Sequence, residues 1–445
     1  MENRHYDLIV AGGGTSGVAA AAAAAERGLK VLLVEQNGLL GGMGTSGLVT
    51  MMMTSRFWFY GIGRTLIEKM IADGNARLIP NPAIKGFNYY PFDAEAMKRE
   101  LEQLVLKSGA ELLLYTKMTG AEKSGDRLTH VHLCGVEGNF TVSADYFVDA
   151  TGDGRLAALA GEEVRYGDEN RQTQAPTMMA WYAGIDFERY ERFLSTFEDG
   201  KKAAKINMIH TLLPRAVDEG IVSQLDLHHP GVFRISEQSD IGLMNVGHVY
   251  GADCSTSLGM TQAAVQGRKI AQEYITFYRK YIPGFENAYM THTGSSLALR
   301  ETGRVEGRYV TTFDDKSNYV KHPDAIMRFD GGAVSDVHAS SASKEAYQAY
   351  VDLYAKREQV RSDDFATLPY RSITTVSTSN LLLSGRCVSA DRKVLGQIRL
   401  MGYCFMMGEA AGLAAAIAAA GHQSVWDVNP AALQAELKKN GVETL

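Results

Sequence analysis

Tyr6-Asp-Leu-Ile-Val-Ala-Gly-Gly-Gly-Thr-Ser-Gly17 opens the chain, and Lys30-Val-Leu-Leu-Val-Glu35 follows an alanine run that Gly28 ends. Residues 7–11 form an apolar run of strand length, residues 18–27 read as a helix, and residues 30–34 read as a second strand closed by an acid. Gly12, Gly14 and Gly17 keep the spacing G-x-G-x-x-G. The first glycine permits a tight turn, the second lets backbone approach a pyrophosphate, and the third lets helix and strand pack closely. The helix start, with Thr15 and Ser16 in its first turn, offers N–H groups and a positive dipole end to phosphates. Glu35 is placed to accept from a ribose hydroxyl. A glycine triplet alone is weak evidence. Strand, helix, second strand and acid in one unit favour a dinucleotide site over a turn that merely packs tightly.

The totals set the outer bounds. A length of 445 residues suits two or three domains with substantial cores. Lys and Arg number 45 against 51 Asp and Glu, a net charge of −6, which gives no electrostatic case for nucleic acid. The apolar run 413–420 is too short to span a bilayer. Polar residues lead from Met1 straight into the first strand and leave no room for a signal peptide, so a cytoplasmic location without a membrane partner is expected. Cys134, Cys254, Cys387 and Cys404 include no C-x-x-C pair. They argue against a zinc site, an iron–sulfur cluster or disulfides, and all four read as small buried apolar residues.

After Glu35, Gln36-Asn-Gly-Leu-Leu-Gly-Gly-Met-Gly-Thr-Ser-Gly47 is glycine-dense. It reads as backbone lying against something planar or charged, the alternative being a flexible loop. Met51, Met52 and Met53, then Phe57, Trp58, Phe59 and Tyr60, either wall a ligand pocket or pack under a loop. Helices are expected over 61–73 and over 93–108, the second capped by Asp93 and ended by Gly109. Residues 111–115 read as a buried third strand of a parallel sheet, 129–132 and 139–143 as a polar hairpin, and 146–149 as an apolar strand. That strand runs into Asp149-Ala-Thr-Gly-Asp-Gly154 at the carboxyl edge of the sheet, where open α/β folds bind ligands. The plainer alternative is a strand-to-helix turn in which Asp153 caps a helix over 155–160.

From residue 165 to about 375 the pattern changes to mixed strands and polar helices. Strands are expected over 175–184 and 231–249, and helices near 187–197, 201–219 and 259–281, the last ended by Pro283. His248 sits among glycines in Asn245-Val-Gly-His-Val-Tyr-Gly251, and Arg300-Glu-Thr-Gly-Arg304 reads as the opening of a helix to about residue 310. Asp336-Val-His338 follows the turn Asp330-Gly-Gly332, and Leu368-Pro-Tyr-Arg-Ser372 precedes the last strand. Taken singly, each His and Arg here reads as a structural partner rather than a catalyst. Residues 380–389 form a strand entering a glycine turn, and a loop through Gly396 and Arg399 follows. Residues 402–420 then form a helix whose small-residue face can approach a sheet or a flat ring closely. The expected plan is α/β, with residues 1–165 and 376–445 forming a ligand-binding domain and 166–375 an inserted α+β substrate domain.

Set in order, these blocks resemble the FAD-dependent oxidoreductase family of the glutathione-reductase-like flavoproteins. They resemble the flavoprotein subunits of succinate dehydrogenase and fumarate reductase more distantly. The resemblance rests on Ala11-Gly-Gly-Gly-Thr-Ser-Gly17, Leu40-Gly-Gly-Met-Gly-Thr-Ser-Gly47, Phe92-Asp-Ala-Glu-Ala-Met-Lys98, Asp149-Ala-Thr-Gly-Asp-Gly154, Arg300-Glu-Thr-Gly-Arg304, Ser335-Asp-Val-His338, Leu383-Ser-Gly-Arg386 and Leu395-Gly-Gln-Ile-Arg399. These motifs span nearly the whole chain. It departs from the family's Arg-Glu-Ser-Arg-Arg run at Gly303. The resemblance implies a Rossmann-like domain, with a parallel sheet, helices and a small antiparallel hairpin, that binds FAD non-covalently. The adenosine half would lie on Gly12, Gly14, Thr15, Ser16, Gly17, Glu35 and Gln36. Gly41, Gly42, Met43 and Thr45 would lie against pyrophosphate and flavin, and Met118, Ala150, Thr151, Gly152 and Asp153 would also contact the cofactor. Gly385 and Arg386 would meet the ribityl and pyrophosphate region, and Gly396 and Arg399 the isoalloxazine.

No second strand–glycine–helix unit follows residue 60, so electrons are expected directly from an organic substrate or to pass to a partner or to oxygen. The leading expectation is hydride transfer from a small organic substrate to flavin N5 while a base removes the accompanying proton. Histidine needs the least tuning for that task at neutral pH. His338, oriented by Asp336, and His248 are the candidate bases. Arg300, Arg371 and Arg399 are candidates to hold a carboxylate or enolate-like charge. Three alternatives stay open: reduction of an activated double bond, a monooxygenase, and a flavin-binding electron-transfer subunit of a complex. No motif names the substrate, and a homo-oligomer is left open.

Overall fold

The computed structural model describes residues 4–55, 59–80, 87–197, 211–226, 231–236, 239–331, 335–339, 341–343, 345, 348 and 364–445. Phe57, Trp58, Gly332 and the first part of the helix expected over 201–219 lie outside them.

Strand β1 (His5–Ala11), helix α1 (Thr15–Ala25) and strand β2 (Val31–Val34) form the opening unit, and the two strands pair in parallel from Leu8↔Val31 to Ala11↔Val34. Both strands bury nearly every residue, as a parallel sheet covered on both faces requires. On its other edge β1 pairs in parallel with a twelve-residue strand, Gly138–Asp149, which also pairs with Leu381–Leu383. These four strands point the same way, and Glu111–Leu113, parallel to β2, makes a fifth. Their carboxyl ends gather Gly12, Glu35, Ala150 and Ser384 along one edge.

The outer parts of the sheet correct two expectations. The strand after the 94–108 helix is short, Glu111–Leu113, and half-buried because it lies at the sheet edge beside β2. The hairpin and the apolar strand after it are one element: Gly138–Asp149 begins antiparallel to Arg127–Gly135 and ends parallel to β1. Lys117–Ser124 completes the antiparallel part. Asn380, fully buried, ties this corner together. Its Oδ1 accepts from Leu128 N at 2.8 Å, and its Nδ2 donates to Leu128 O at 2.8 Å and Asp145 O at 2.7 Å.

Helix Met401–Ala420 fills the core beside α1. Its small residues are needed against backbone: an added Cβ would lie 2.0 Å from Ser16 O at Gly408 and 2.3 Å from Ala20 O at Gly412. The face expected to meet a sheet or a ring therefore meets a helix. At 20 residues, with an 18-residue stretch of mean hydropathy 1.5, it is also long and apolar enough to cross a bilayer, unlike the shorter run read from the sequence, yet 78% of that stretch is buried inside the protein.

A second core lies around a four-stranded antiparallel sheet in the order Val232–Arg234, Gly242–Met244, Ala180–Ala183, Tyr289–Thr293, with helix Ser257–Tyr281 packed on it through Tyr274, Phe277 and Tyr278. The run 300–310 is not a helix. Gly303–Val305 is a strand paired antiparallel with Val164–Tyr166. An added Cβ at Gly303 would sit 2.2 Å from Asp153 O, so no arginine fits at this departure from the family pattern. Ile326, Met327, Phe329 and Leu368 join the core that holds α1 and Met401–Ala420.

Candidate functional site

The carboxyl edge of the sheet opens into one cavity. At its floor is the start of α1, where the N-cap Gly14 has no side-chain cap and the first turn holds no acid. Gly12 has φ +98°, and an added Cβ there would lie 2.6 Å from Ala150 O; at Gly14 it would meet nothing within 4 Å. The turn is therefore tight behind and open in front. Gly12, Gly14, Thr15 and Ser16 line the cavity. Gly17 does not: it lies inside the first helical turn, where a Cβ would strike Gly12 O at 1.8 Å.

Glu35 braces this turn. One carboxylate oxygen accepts from Gly13 N and the other from Asn37 N and Nδ2, all at 2.7 Å, and the residue faces the cavity with Gln36. The second glycine loop touches the first backbone to backbone: Gly41 N donates to Gly13 O at 2.8 Å, and a Cβ at Gly42 would lie 3.1 Å from Gly14 Cα. Gly41, Gly42 and Met43 line the cavity. Thr45 turns away to donate its hydroxyl to Leu40 O at 2.5 Å, and its neighbour Ser46, missed in the sequence, takes the place on the wall.

Ala150, Thr151, Gly152 and Asp153 form a third side. Asp149 beneath them is fully buried and accepts from Thr151 N, Thr151 Oγ1 and Ala157 N, though burial still pushes its carboxyl above the usual range. Asp153 caps nothing. Gly154 is the N-cap of the following helix, and Asp153 Oδ1 instead accepts from Arg386 Nη2 at 2.5 Å and from the Thr302 hydroxyl. Arg386 and Gly385 line the cavity, and Arg386 Nε is buried without a partner among the described residues.

Three expected cofactor or charge-holding residues are elsewhere. Met118 is buried in the core behind the sheet. Gly396 packs under Ser335 and Asp336, whose atoms a Cβ would meet at 2.6 and 3.1 Å. Arg371 pairs with Asp324 at 2.9 Å over the Tyr309 ring, because the 370–373 turn directs it away from the cavity.

The far end of the cavity holds the chemistry. His338, Asp336, Arg300 and Arg399 all line it. His248 does not: it is 1% exposed and stands behind His338, its Nε2 2.8 Å from His338 Nδ1. His248 Nδ1 lies 3.0 Å from Asp226 Oδ2, and Asp226 also accepts from Gly247 N, His248 N and Tyr250 OH. Burial pushes the His248 imidazole below its usual pKa. Arg300 Nη1 donates to Ala175 O at 2.8 Å and to Thr177 Oγ1 at 2.9 Å; burial, then the Arg399 cation, pull its pKa down to about 10. No carboxylate pairs with Arg300 among the described residues. Arg399, also held below its usual pKa by burial, donates to Arg300 O and Asp336 O at 2.8 and 2.7 Å. Six methionines, Met43, Met51, Met53, Met179, Met260 and Met401, line the cavity and give it much of its apolar wall.

Of the expected cysteine environments, Cys254, Cys387 and Cys404 are buried, Cys404 on the cavity wall, whereas Cys134 is exposed on an outer strand.

Among solved structures, flavin-dependent brominase Bmp2 is similar at 14% identity over 98% of this chain and 84% of that one, with a TM-score of 0.51. A geranylgeranyl bacteriochlorophyll reductase-like protein of Thermoplasma acidophilum is similar at 13% identity over 98% and 83%, with a TM-score of 0.49. The OxyS anhydrotetracycline hydroxylase of Streptomyces rimosus is similar at 14% over 98% and 66%, with a TM-score of 0.46. At such identities the likeness is one of fold. No curated protein matches the sequence. The family model described as FAD dependent oxidoreductase matches residues 7–437. With an uncapped helix start and two interlocked glycine loops at the cavity floor, the chain belongs to the FAD dependent oxidoreductase family, a flavoprotein enzyme with FAD as its cofactor.

Proposed function

We propose that this oxidoreductase removes a hydride and a proton from a small organic substrate that carries an anionic group. The observation behind this reading is that His338 and Arg300, whose guanidinium makes no ion pair with a carboxylate among the described residues, share one continuous cavity with the α1 cradle. FAD, bound non-covalently along the glycine loops, supplies the hydride acceptor at flavin N5. Arg300 holds the substrate anion: its guanidinium is anchored on one edge by Ala175 O and Thr177 Oγ1, with no carboxylate ion-paired to it among the described residues. Arg399, tied to Asp336, fixes the segment that carries His338. His338 takes the substrate proton. The methionine walls exclude water, which strengthens each of these polar contacts. Substrate choice is assigned to the block 166–375, which supplies Met179, Asn245, Met260, Arg300 and His338 to the cavity.

An anaerobic absorbance screen of the purified holoprotein tests this reading. A small organic acid bleaches the oxidised flavin, and its amide or ester does not. Bleaching by neutral compounds alone would sink the anion assignment.

A further inference from the structure

His338 stands between two carboxylates that pull it towards opposite tautomers. On one side Nε2 lies 3.3 Å from Asp336 Oδ2, a contact that favours a proton on Nε2. On the other, Nδ1 lies 2.8 Å from His248 Nε2, and His248 Nδ1 lies 3.0 Å from Asp226 Oδ2. A carboxylate that already accepts from Gly247 N, His248 N and Tyr250 OH can only accept again, so His248 Nδ1 carries a proton. Neutral His248 then has only a lone pair on Nε2, and the short contact to His338 is made by a proton on His338 Nδ1.

The geometry favours this second side. Asp226 and His248 are each 1% exposed, and the bonds of Asp226 on both oxygens prevent its rotation. The Asp336 contact is longer than an ordinary N–H···O bond, and the same oxygen faces Arg399 Nη2 at 3.3 Å, which draws off part of its charge. We infer that Asp226 and His248 are positioning residues that hold His338 as its Nδ1–H tautomer and so make Nε2 the proton-accepting atom of the site. The inference rests on the proposal that His338 is the base. Asp336 then serves a different end: once Nε2 has taken a proton, with the bonding pair left on the substrate, the carboxylate 3.3 Å away stabilises the positive charge of the imidazolium.

The test is long-range proton–nitrogen NMR of the holoprotein labelled with 15N-histidine, with His338 assigned by the signals that vanish in His338→Gln. The expected wild-type pattern is a protonated, pyrrole-type Nδ1 and an unprotonated, pyridine-type Nε2. His248→Gln, whose amide oxygen can still accept, keeps the pattern. His248→Phe, which removes the acceptor facing Nδ1 and keeps the Asp336 carboxylate beside Nε2, exchanges the two shifts. A wild-type His338 protonated on Nε2, or on both nitrogens, overturns the inference without any variant, as does an unchanged pattern in a folded His248→Phe protein. The readout needs no substrate, so it stands apart from the base assignment. Normal flavin reduction in His338→Ala would overturn the assignment and leave the tautomer as measured.

Discussion

His248 Nε2 and His338 Nδ1 meet at 2.8 Å, and only His338 reaches the cavity. Two histidines that look equivalent in the sequence therefore have unequal parts. His338→Ala is predicted to slow flavin reduction by the true substrate about 10²–10⁴-fold while FAD stays bound. Rapid mixing under anaerobic conditions reads the rate, and flavin absorbance after gel filtration reads the occupancy.

Arg300 gives a pH dependence. Its pKa of about 10 lies below the ordinary value because burial disfavours the cation. For a base, a lowered folded-state pKa is a cost to stability at neutral pH, and it is relieved only as pH rises through about 10. The charge that holds the substrate anion disappears in the same window, so affinity for an acidic substrate falls as pH passes about 10. Arg300→Gln is expected to weaken that binding by about 1.5–3 kcal/mol at neutral pH. Titration of the flavin spectrum with the acid measures both effects.

His248 sets an acid limb. Burial lowers its folded-state pKa below the usual 6.5, so the unfolded chain binds a proton that the native protein resists. Its contribution is complete above pH 6.5 and declines as pH falls below that value, by at most about 1.4 kcal/mol per unit. Urea unfolding of wild type and His248→Phe at pH 7 and pH 5 should show a smaller loss in the variant. An equal loss would rule out this residue as a source of acid sensitivity.

Gly408 joins stability to the cofactor. A Cβ there would stand 2.0 Å from Ser16 O, and Ser16 lines the cavity in the first turn of α1. Gly408→Ala is predicted to destabilise the protein by about 1–3 kcal/mol. It should also release FAD more readily, seen as loss of flavin on dilution. A stable, fully yellow variant would contradict the close packing.

Much of the cofactor side was legible because each glycine's task is local. The spacing of Gly12, Gly14 and Gly17 makes a turn whatever the rest of the chain does, and Glu35 needs only one strand to reach Gly13. Neighbourhood in sequence was not enough for side-chain direction: Thr45 and Ser46 are adjacent, and only Ser46 lines the cavity. Arg371 looked like an anion holder because nothing near it in sequence shows Asp324, 47 residues away, as its partner. Residues 300–310 carry helix-tolerant side chains, yet cross-chain pairing with Val164–Tyr166 makes a strand of their centre. Asp226 gave no signal at all. Its meaning comes from a contact to His248 and through it to His338, and no local period encodes residues so far apart along the chain.

The most direct measurement of the central claim is the anaerobic single-turnover reduction of the holoprotein by the acid found in the screen, in wild type and His338→Ala side by side. Rapid bleaching in the wild type is expected, with bleaching at least about 10²-fold slower in a variant that still binds FAD and is still reduced by dithionite. Equal rates in the two proteins would contradict the account.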